Sequence, residues 1–187
     1  MTRLFALFLA VLPFTAKADT VCADLWAMRN LAFARAGYCF GSPLGQSVFG
    51  SDGCTGTDVT LSEPYDTRAV AAIREMETLL NCAIDTTSLN HDLPDMAARA
   101  QMIELPVRQD GESACIGWRG ALLYLGTASH GHADTVGAVE AGDDILFQFD
   151  RQGPWEYVYA IRNSQRVAEG WAFLPELSNE MCDGWAG

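Results

Sequence analysis

Lysine is almost absent: Lys17 is the only one in 187 residues. Beyond it there is no ε-ammonium to form a Schiff base or to cradle a phosphate. Histidine is also scarce, with only His91, His130 and His132. No G-x-S-x-G, G-x-G-x-x-G or P-loop pattern occurs, so hydrolase-elbow, dinucleotide and phosphate-loop chemistry have no sequence support. No C-x-x-C pair occurs either, and zinc ribbons and thioredoxin-like redox motifs lose their main support. There is no internal repeat and no low-complexity tract. No apolar run beyond the N-terminus approaches the ~20 residues needed to span a bilayer.

What is present describes an acidic, folding chain. Twelve Lys+Arg stand against 24 Asp+Glu, a formal charge of −12, and 49% of residues are hydrophobic against 19% charged. That is too apolar for a disordered chain. The acidity disfavours nucleic acid and anionic lipid surfaces and favours cationic partners. Met1 to Ala18 reads as a secretory signal peptide. Arg3 forms the positive n-region, Leu4 to Leu12 the apolar core, and Ala16-Lys17-Ala18 an A-x-A cleavage site. Pro13 and Lys17 end the run short of a membrane span. Cleavage before Asp19 removes Arg3 and Lys17 and no acid, moving the charge from −12 to −14. The expected location is periplasmic or secreted.

Six cysteines lie beyond that site: Cys22, Cys39, Cys54, Cys82, Cys115 and Cys182. An even number in an exported chain points to three disulfides. Cys115 is expected to pair with Cys182. A helix between Cys22 and Cys39 would hold their Cα atoms roughly 25 Å apart, against a bridging limit of about 7 Å. That leaves Cys22–Cys54 with Cys39–Cys82, or Cys22–Cys82 with Cys39–Cys54, and we favour the second.

Patterning divides the chain in two. Thr20 is a candidate cap for a helix to about Ala36, with Leu25, Met28 and Ala32 on one stripe and Trp26 and Phe33 beside it. Gly37 is its natural stop. Ser42-Pro43-Leu44 reads as a turn before an apolar stretch ending near Phe49. Ser62 and Pro64 open a second helix to about Asn81, striped by Val70, Ile73, Met76 or Glu77, and Leu80. Such narrow stripes are expected to pack on each other and on the Phe40–Phe49 segment. Pro94 and Pro106 bracket a short helix at 95–103. Thereafter the period changes. Residues 121–125 are a strand candidate, Ile145, Phe147 and Phe149 alternate to one side, and Trp155 to Tyr159 alternate after a turn at 151–154. Residues 162–169 read as a polar interruption before Gly170 to Leu174. Short strands at this spacing suggest a small β-barrel.

Two resemblances follow. Leu25-Trp26-x-x-Arg29-Asn30, Arg35-x-Gly37-Tyr38-x-Phe40, Leu44, Phe49, Leu61-Ser62 and Met76-Glu77 together resemble a YARHG domain over about residues 20–82. The sequence departs from it at Ala36, where histidine is usual, and at Cys54, near a usual tryptophan. That resemblance implies an envelope location. Leu122–Leu125, Val136-Gly137, Gly142-Asp143, Trp155-x-Tyr157-Val158 and Gly170-Trp171 resemble a bacterial SH3-like domain, which implies binding of cell-wall peptides or protein segments. The combination is similar to a secreted alphaproteobacterial family built around a domain of unknown function. The expected organisation is therefore α+β: signal peptide 1–18, a disulfide-stapled helical YARHG-like unit 19–90, a linker 91–110, and a small SH3-like β-barrel 111–187.

Candidate chemistry is thin. His130-Gly131-His132-Ala133-Asp134 is similar to the H-x-H-x-D-H signature of metallo-β-lactamase-like hydrolases, but Thr135 stands where the last histidine should be. We read it as a polar loop, with metal binding by His130 and His132 left open. Six bridged cysteines leave no thiolate nucleophile. Asp143-Asp144 and Glu75/Glu77 read as solvated faces. Arg29 and Asn30 are expected to serve structure by bonding carbonyls of the Gly37–Phe40 turn. Tyr124, Trp155, Tyr157, Tyr159 and Trp171 form the best candidate ligand-binding groove. Of these, Trp155 and Trp171 are expected to be more exposed than Ile145 or Phe147. The expected function is non-catalytic binding of cell-wall material or an envelope protein, without cofactor, nucleic acid or membrane insertion. The alternatives are an acidic inhibitor of a cationic wall hydrolase such as lysozyme, and an enzyme with an unrecognised site.

Overall fold

The computed structural model describes residues 16–187. Arg3 and the Leu4–Leu12 core of the expected leader lie outside the described residues. The cleavage triplet Ala16-Lys17-Ala18 begins helix α1 (Ala16–Arg35). The helix thus runs through Thr20 instead of starting there. Leu25, Trp26, Met28 and Ala32 are buried as the 3.6-residue stripe requires. Gly37 ends the helix in the left-handed region (φ 87°). Its N–H donates to Ala34 O at 2.9 Å and Tyr38 N–H to Phe33 O at 3.0 Å, the paired bonds of a Schellman stop.

Residues read as a turn and an apolar stretch form a short helix, α2 (Pro43–Phe49). Ser42 Oγ accepts from Gly45 N–H at 3.2 Å, and Pro43 supplies a first-turn residue with no N–H to satisfy. Helix α3 (Pro64–Leu79) buries Val70 and Ile73 against α1. Helix α4 (Met96–Ala100) is capped by Asp95, whose Oδ1 accepts from Ala97 and Ala98 N–H groups.

Seven antiparallel strands follow: β1 (Arg108–Trp118), β2 (Leu123–Gly126), β3 (Thr135–Val139), β4 (Asp144–Phe149), β5 (Trp155–Arg162), β6 (Gln165–Phe173) and β7 (Cys182–Ala186). They form one sheet in the order β3-β2-β6-β5-β4-β1-β7. The expected polar interruption at 162–169 is instead a hairpin. Asn163 and Ser164 both have positive φ, 51° and 63°, the signature of a two-residue turn whose twist matches the strands. The sheet is curled. Strands β3 and β4 stand four places apart, roughly 19 Å if the sheet were flat. Yet a four-residue turn joins them, closed by Asp143 N–H to Glu140 O at 3.1 Å, and such a turn brings its ends within about 7 Å. The expected barrel is therefore an incompletely closed one: β3 and β7 are edges, with no pairing between them among the described residues.

Both faces of this sheet are apolar. One gathers Cys115, Trp118, Leu125, Val139, Ile145, Val158 and Ala172. The other, with Phe149, Tyr157, Tyr159 and Trp171, is continuous with Leu25, Met28, Ile73 and Met102. The helices thus pack on the sheet as well as on each other, which the striping alone did not reveal. Phe149 also leaves the side it was expected to share with Ile145 and Phe147. It joins the helix-facing core where the β1–β4 register slips between Arg108 and Ser113.

The disulfides are Cys22–Cys82, Cys39–Cys54 and Cys115–Cys182. No cysteine is free among the described residues. The first ties α1 to the end of α3, and the third staples β1 to β7. Arg29 and Asn30 serve structure, but not at the Gly37–Phe40 turn. Arg29 Nε is held by both Glu77 oxygens at 3.0 and 3.1 Å, and Asn30 Nδ2 donates to Trp26 O at 2.7 Å. Gly37 O is satisfied instead by Thr55 N–H at 2.7 Å.

Candidate functional site

A cavity of about 440 Å³ opens where helix, connector and sheet meet. Helix α1 contributes Thr20, Val21 and Asp24, and the 92–94 segment Asp92 and Leu93. Strand β1 contributes Arg108, Asp110 and Glu112, β4 Gln148, β5 Tyr159 and β6 Arg166. Four carboxylates face two guanidiniums. A cavity of this size suits a small molecule or a short peptide end.

Its wall is held by a buried ion cluster centred on Arg99, which is fully buried. Arg99 Nε donates to Glu169 Oε1 at 2.9 Å, and Nη2 donates to Asp24 Oδ2 at 3.3 Å and to Tyr159 Oη at 2.6 Å. Tyr157 Oη–H donates to Glu169 Oε1 at 3.0 Å. The guanidinium lies 4.8 Å from the Phe149 ring and 4.9 Å from that of Tyr157. Burial opposes the charge on Arg99, but Asp24, the two tyrosines and Glu169 outweigh it and leave its pKa raised. Burial likewise pushes both tyrosines up, partly offset by Arg99, so they stay protonated and able to donate. The cluster ties α1, α4 and the sheet into one unit and fixes Asp24 in the cavity wall.

Elsewhere in the lining, Arg108 Nη1 donates to Gln148 Oε1, and Gln148 Nε2 donates to Glu112 Oε2 at 2.9 Å. Two buried atoms of lining residues remain unpartnered: Asp24 Oδ1 and Arg108 Nε. Buried polar groups ordinarily find partners, so their coincidence in one cavity singles it out. The apolar depression beside Phe173 and Leu122 has no such atom among its described lining residues.

The structure disperses the expected aromatic groove. Tyr157 and Trp171 are 0% and 1% exposed. They face each other across β5 and β6 beneath the helices, and Trp171 Nε1 donates to Glu104 O at 2.9 Å. The expectation that Trp171 is partly exposed is therefore corrected: it belongs to the core shared with Leu25 and Met28 of α1 and with Met102 and Leu105 of the connector. Trp155 is half-buried against Phe173, and Tyr124 is exposed. Neither lines the cavity. Asp143 is also not a solvated residue. It is buried under Arg162, which donates to it at 2.7 and 2.9 Å. The 130–134 segment is a turn between β2 and β3. No three His, Cys, Asp or Glu side chains converge as metal ligands among the described residues.

Asp24, Arg99, Arg108, Arg166 and Glu169 went unnoticed at the sequence level. One signal was available: Asp24 falls in the i, i+3, i+4, i+7 row of Val21, Asp24, Leu25 and Met28, a charge inside an apolar stripe.

Comparison with known families supplies the remaining context. The family model for the YARHG domain matches residues 5–78, and that for a domain of unknown function (DUF4453) matches residues 81–187. The second match covers more than half of the chain. The chain belongs to the DUF4453 family. No curated protein and no solved structure matches it. In this DUF4453 chain the cavity is built from both matched segments, with Thr20, Val21 and Asp24 from the YARHG part and the rest from the DUF4453 part. Three disulfides suit an oxidising compartment. No helix among the described residues is long and apolar enough to cross a membrane.

Proposed function

We propose that this is a non-catalytic binding protein of the bacterial envelope, periplasmic or secreted, that holds cell-wall material at the joint between its YARHG and DUF4453 parts. The observation that carries this reading is the cavity lined by both parts, with an acceptor and a donor left unpartnered in its wall. Its size suits a peptide end better than a folded partner, and the resemblance to SH3-like wall binders points the same way. The buried Arg99 cluster supports binding over catalysis. Its hydrogen bonds tie α1, α4 and the sheet to one another.

Co-sedimentation of the disulfide-bonded protein with purified peptidoglycan tests this. Saturable pelleting that Asp110→Asn and Arg166→Ala weaken is the expected result. A protein that stays in the supernatant at saturating peptidoglycan overturns the reading. If the same protein slows lysozyme in a salt-sensitive way, the acidic-inhibitor reading, favoured by the charge of −12, takes its place.

A further inference from the structure

The chemistry of the ligand is narrowed by the two unpartnered atoms. Asp24 Oδ1 can only accept from a cation or other donor, and Arg108 Nε can only donate. The Asp24 side chain is 6% exposed, and its other oxygen is already engaged by Arg99. The guanidinium of Arg108 is oriented by Gln148, which is itself held by Glu112. Both side chains are thus held by neighbours in the protein without ligand.

We infer that the cavity recognises a small zwitterion of the α-amino-acid type, its ammonium against Asp24 Oδ1 and its carboxylate against the Arg108 guanidinium. This rests on the cavity being the binding site proposed above. The wall carries more acid than base: Asp92, Asp110 and Glu112 add to Asp24, whereas only Arg166 adds to Arg108. A ligand with two ammonium groups and one carboxylate matches that excess better than a neutral zwitterion. The ligand class is therefore a dibasic amino acid, free or at the end of a short peptide. A volume of about 440 Å³ lies toward the small end of ligand sites, which run from roughly 300 to 1,000 Å³. Both atoms are buried although their residues line the cavity, so the inference requires binding to shift the two side chains and uncover them.

The test is calorimetry of the disulfide-bonded protein with free lysine, Nα-acetyl-lysine, lysinamide and alanine. Lysine is expected to bind, and alanine to bind more weakly. Blocking either the ammonium or the carboxylate should cost about tenfold or more in affinity, the weight of one charge-assisted contact. Arg108→Gln should weaken lysine by a similar factor while changing lysinamide little, because the partner of the lost guanidinium is then already missing. Asp24→Asn should weaken lysine and spare Nα-acetyl-lysine. If the blocked compounds bind as tightly as lysine, or lysine gives no heat, the inference is overturned, and this arm does not depend on any variant folding. Peptidoglycan that pellets the protein while lysine neither binds nor competes would retain the wall-binding reading and refute the zwitterion. Lysine binding without pelleting would do the reverse.

Discussion

Arg99 is the side chain on which the helices and the sheet meet. It sits on a one-turn helix of alanines, yet it reaches Glu169 seventy residues away and Asp24 seventy-five residues away. Replacing it by methionine would fill the space but leave Asp24 buried without its cation. Breaking such a pair costs about 3–5 kcal/mol. The urea midpoint of Arg99→Met should fall accordingly, and an unchanged midpoint would show that the cluster does not hold the layers together. Two carboxylates, Asp143 and Glu156, predict opposite pH responses. The Arg162 hydrogen bonds hold Asp143 below its ordinary 3.8, against the opposing effect of burial. Its stabilising contribution is therefore complete above that value and lost as pH falls through the lower folded-state value. Glu156 is raised above 4.5 by burial, partly countered by Arg151. Its contribution moves the other way: stability is lost as pH rises from 4.5 through the folded-state value. Denaturation from pH 7 to pH 3 should show the deficit of Asp143→Asn shrinking with acid. Any advantage of Glu156→Gln over wild type should shrink as well, because acid neutralises the buried wild-type carboxylate.

Among the elements, the turn after α1 leaves no room for a side chain at Gly37. A Cβ at Gly37 would stand 2.7 Å from Thr55 Oγ1, in a backbone region with φ 87° that L side chains rarely adopt. Gly37→Ala should therefore destabilise by more than about 1 kcal/mol, read as a lowered melting temperature. The disulfides anchor the same region with different leverage. Cys39–Cys54 spans 15 residues and Cys22–Cys82 spans 60. In the chain-entropy account these correspond to roughly 3 and 4 kcal/mol. Paired Cys→Ala variants should lose stability in that order, and the reverse order would mean that native-state strain outweighs loop closure.

For the whole molecule, the decisive feature is a core that crosses the boundary between the two matched segments. Leu25, Met28 and Ile73 share one cluster with Phe149, Tyr157, Tyr159 and Trp171. We propose that the two segments are units of one cooperative fold, organised about the cavity at their joint. Expressed alone, residues 81–187 would lose the α1 and α3 side chains of the shared cluster and leave an apolar patch of the kind that drives association. Sedimentation velocity should find that fragment self-associated, and the full chain should unfold in one transition by both near- and far-ultraviolet circular dichroism. Two separate transitions, or a monomeric fragment, would refute the shared core.

Much of the architecture was legible from local pattern. The 3.6-residue stripes of α1 and α3, the stop at Gly37 and the alternation of β4 and β5 are properties of short windows, and elementary helix geometry alone removed Cys22–Cys39 from the disulfide pairings. Strands β1, β3 and β7 were not identified as strands. Much of β1 and most of β7 carry no clean alternation: residues 110–113 and 183–187 are largely polar or glycine. Of the candidate site, only Tyr159 was among the residues read as a binding groove. Alternation tells that Tyr157 and Trp171 share a face, but not whether helix or solvent lies over it. When both faces of a sheet are apolar, that choice is made by contacts far apart in the chain. The amino-acid sequence by itself determined helices α1, α3 and α4, most of the central strands and the capacity for three sulfur bridges, because these depend on spacing along the chain. Only the tertiary structure decided which aromatics are core and which charges meet around the cavity, because burial and pairing there depend on segments from 36 to 75 residues apart coming into contact.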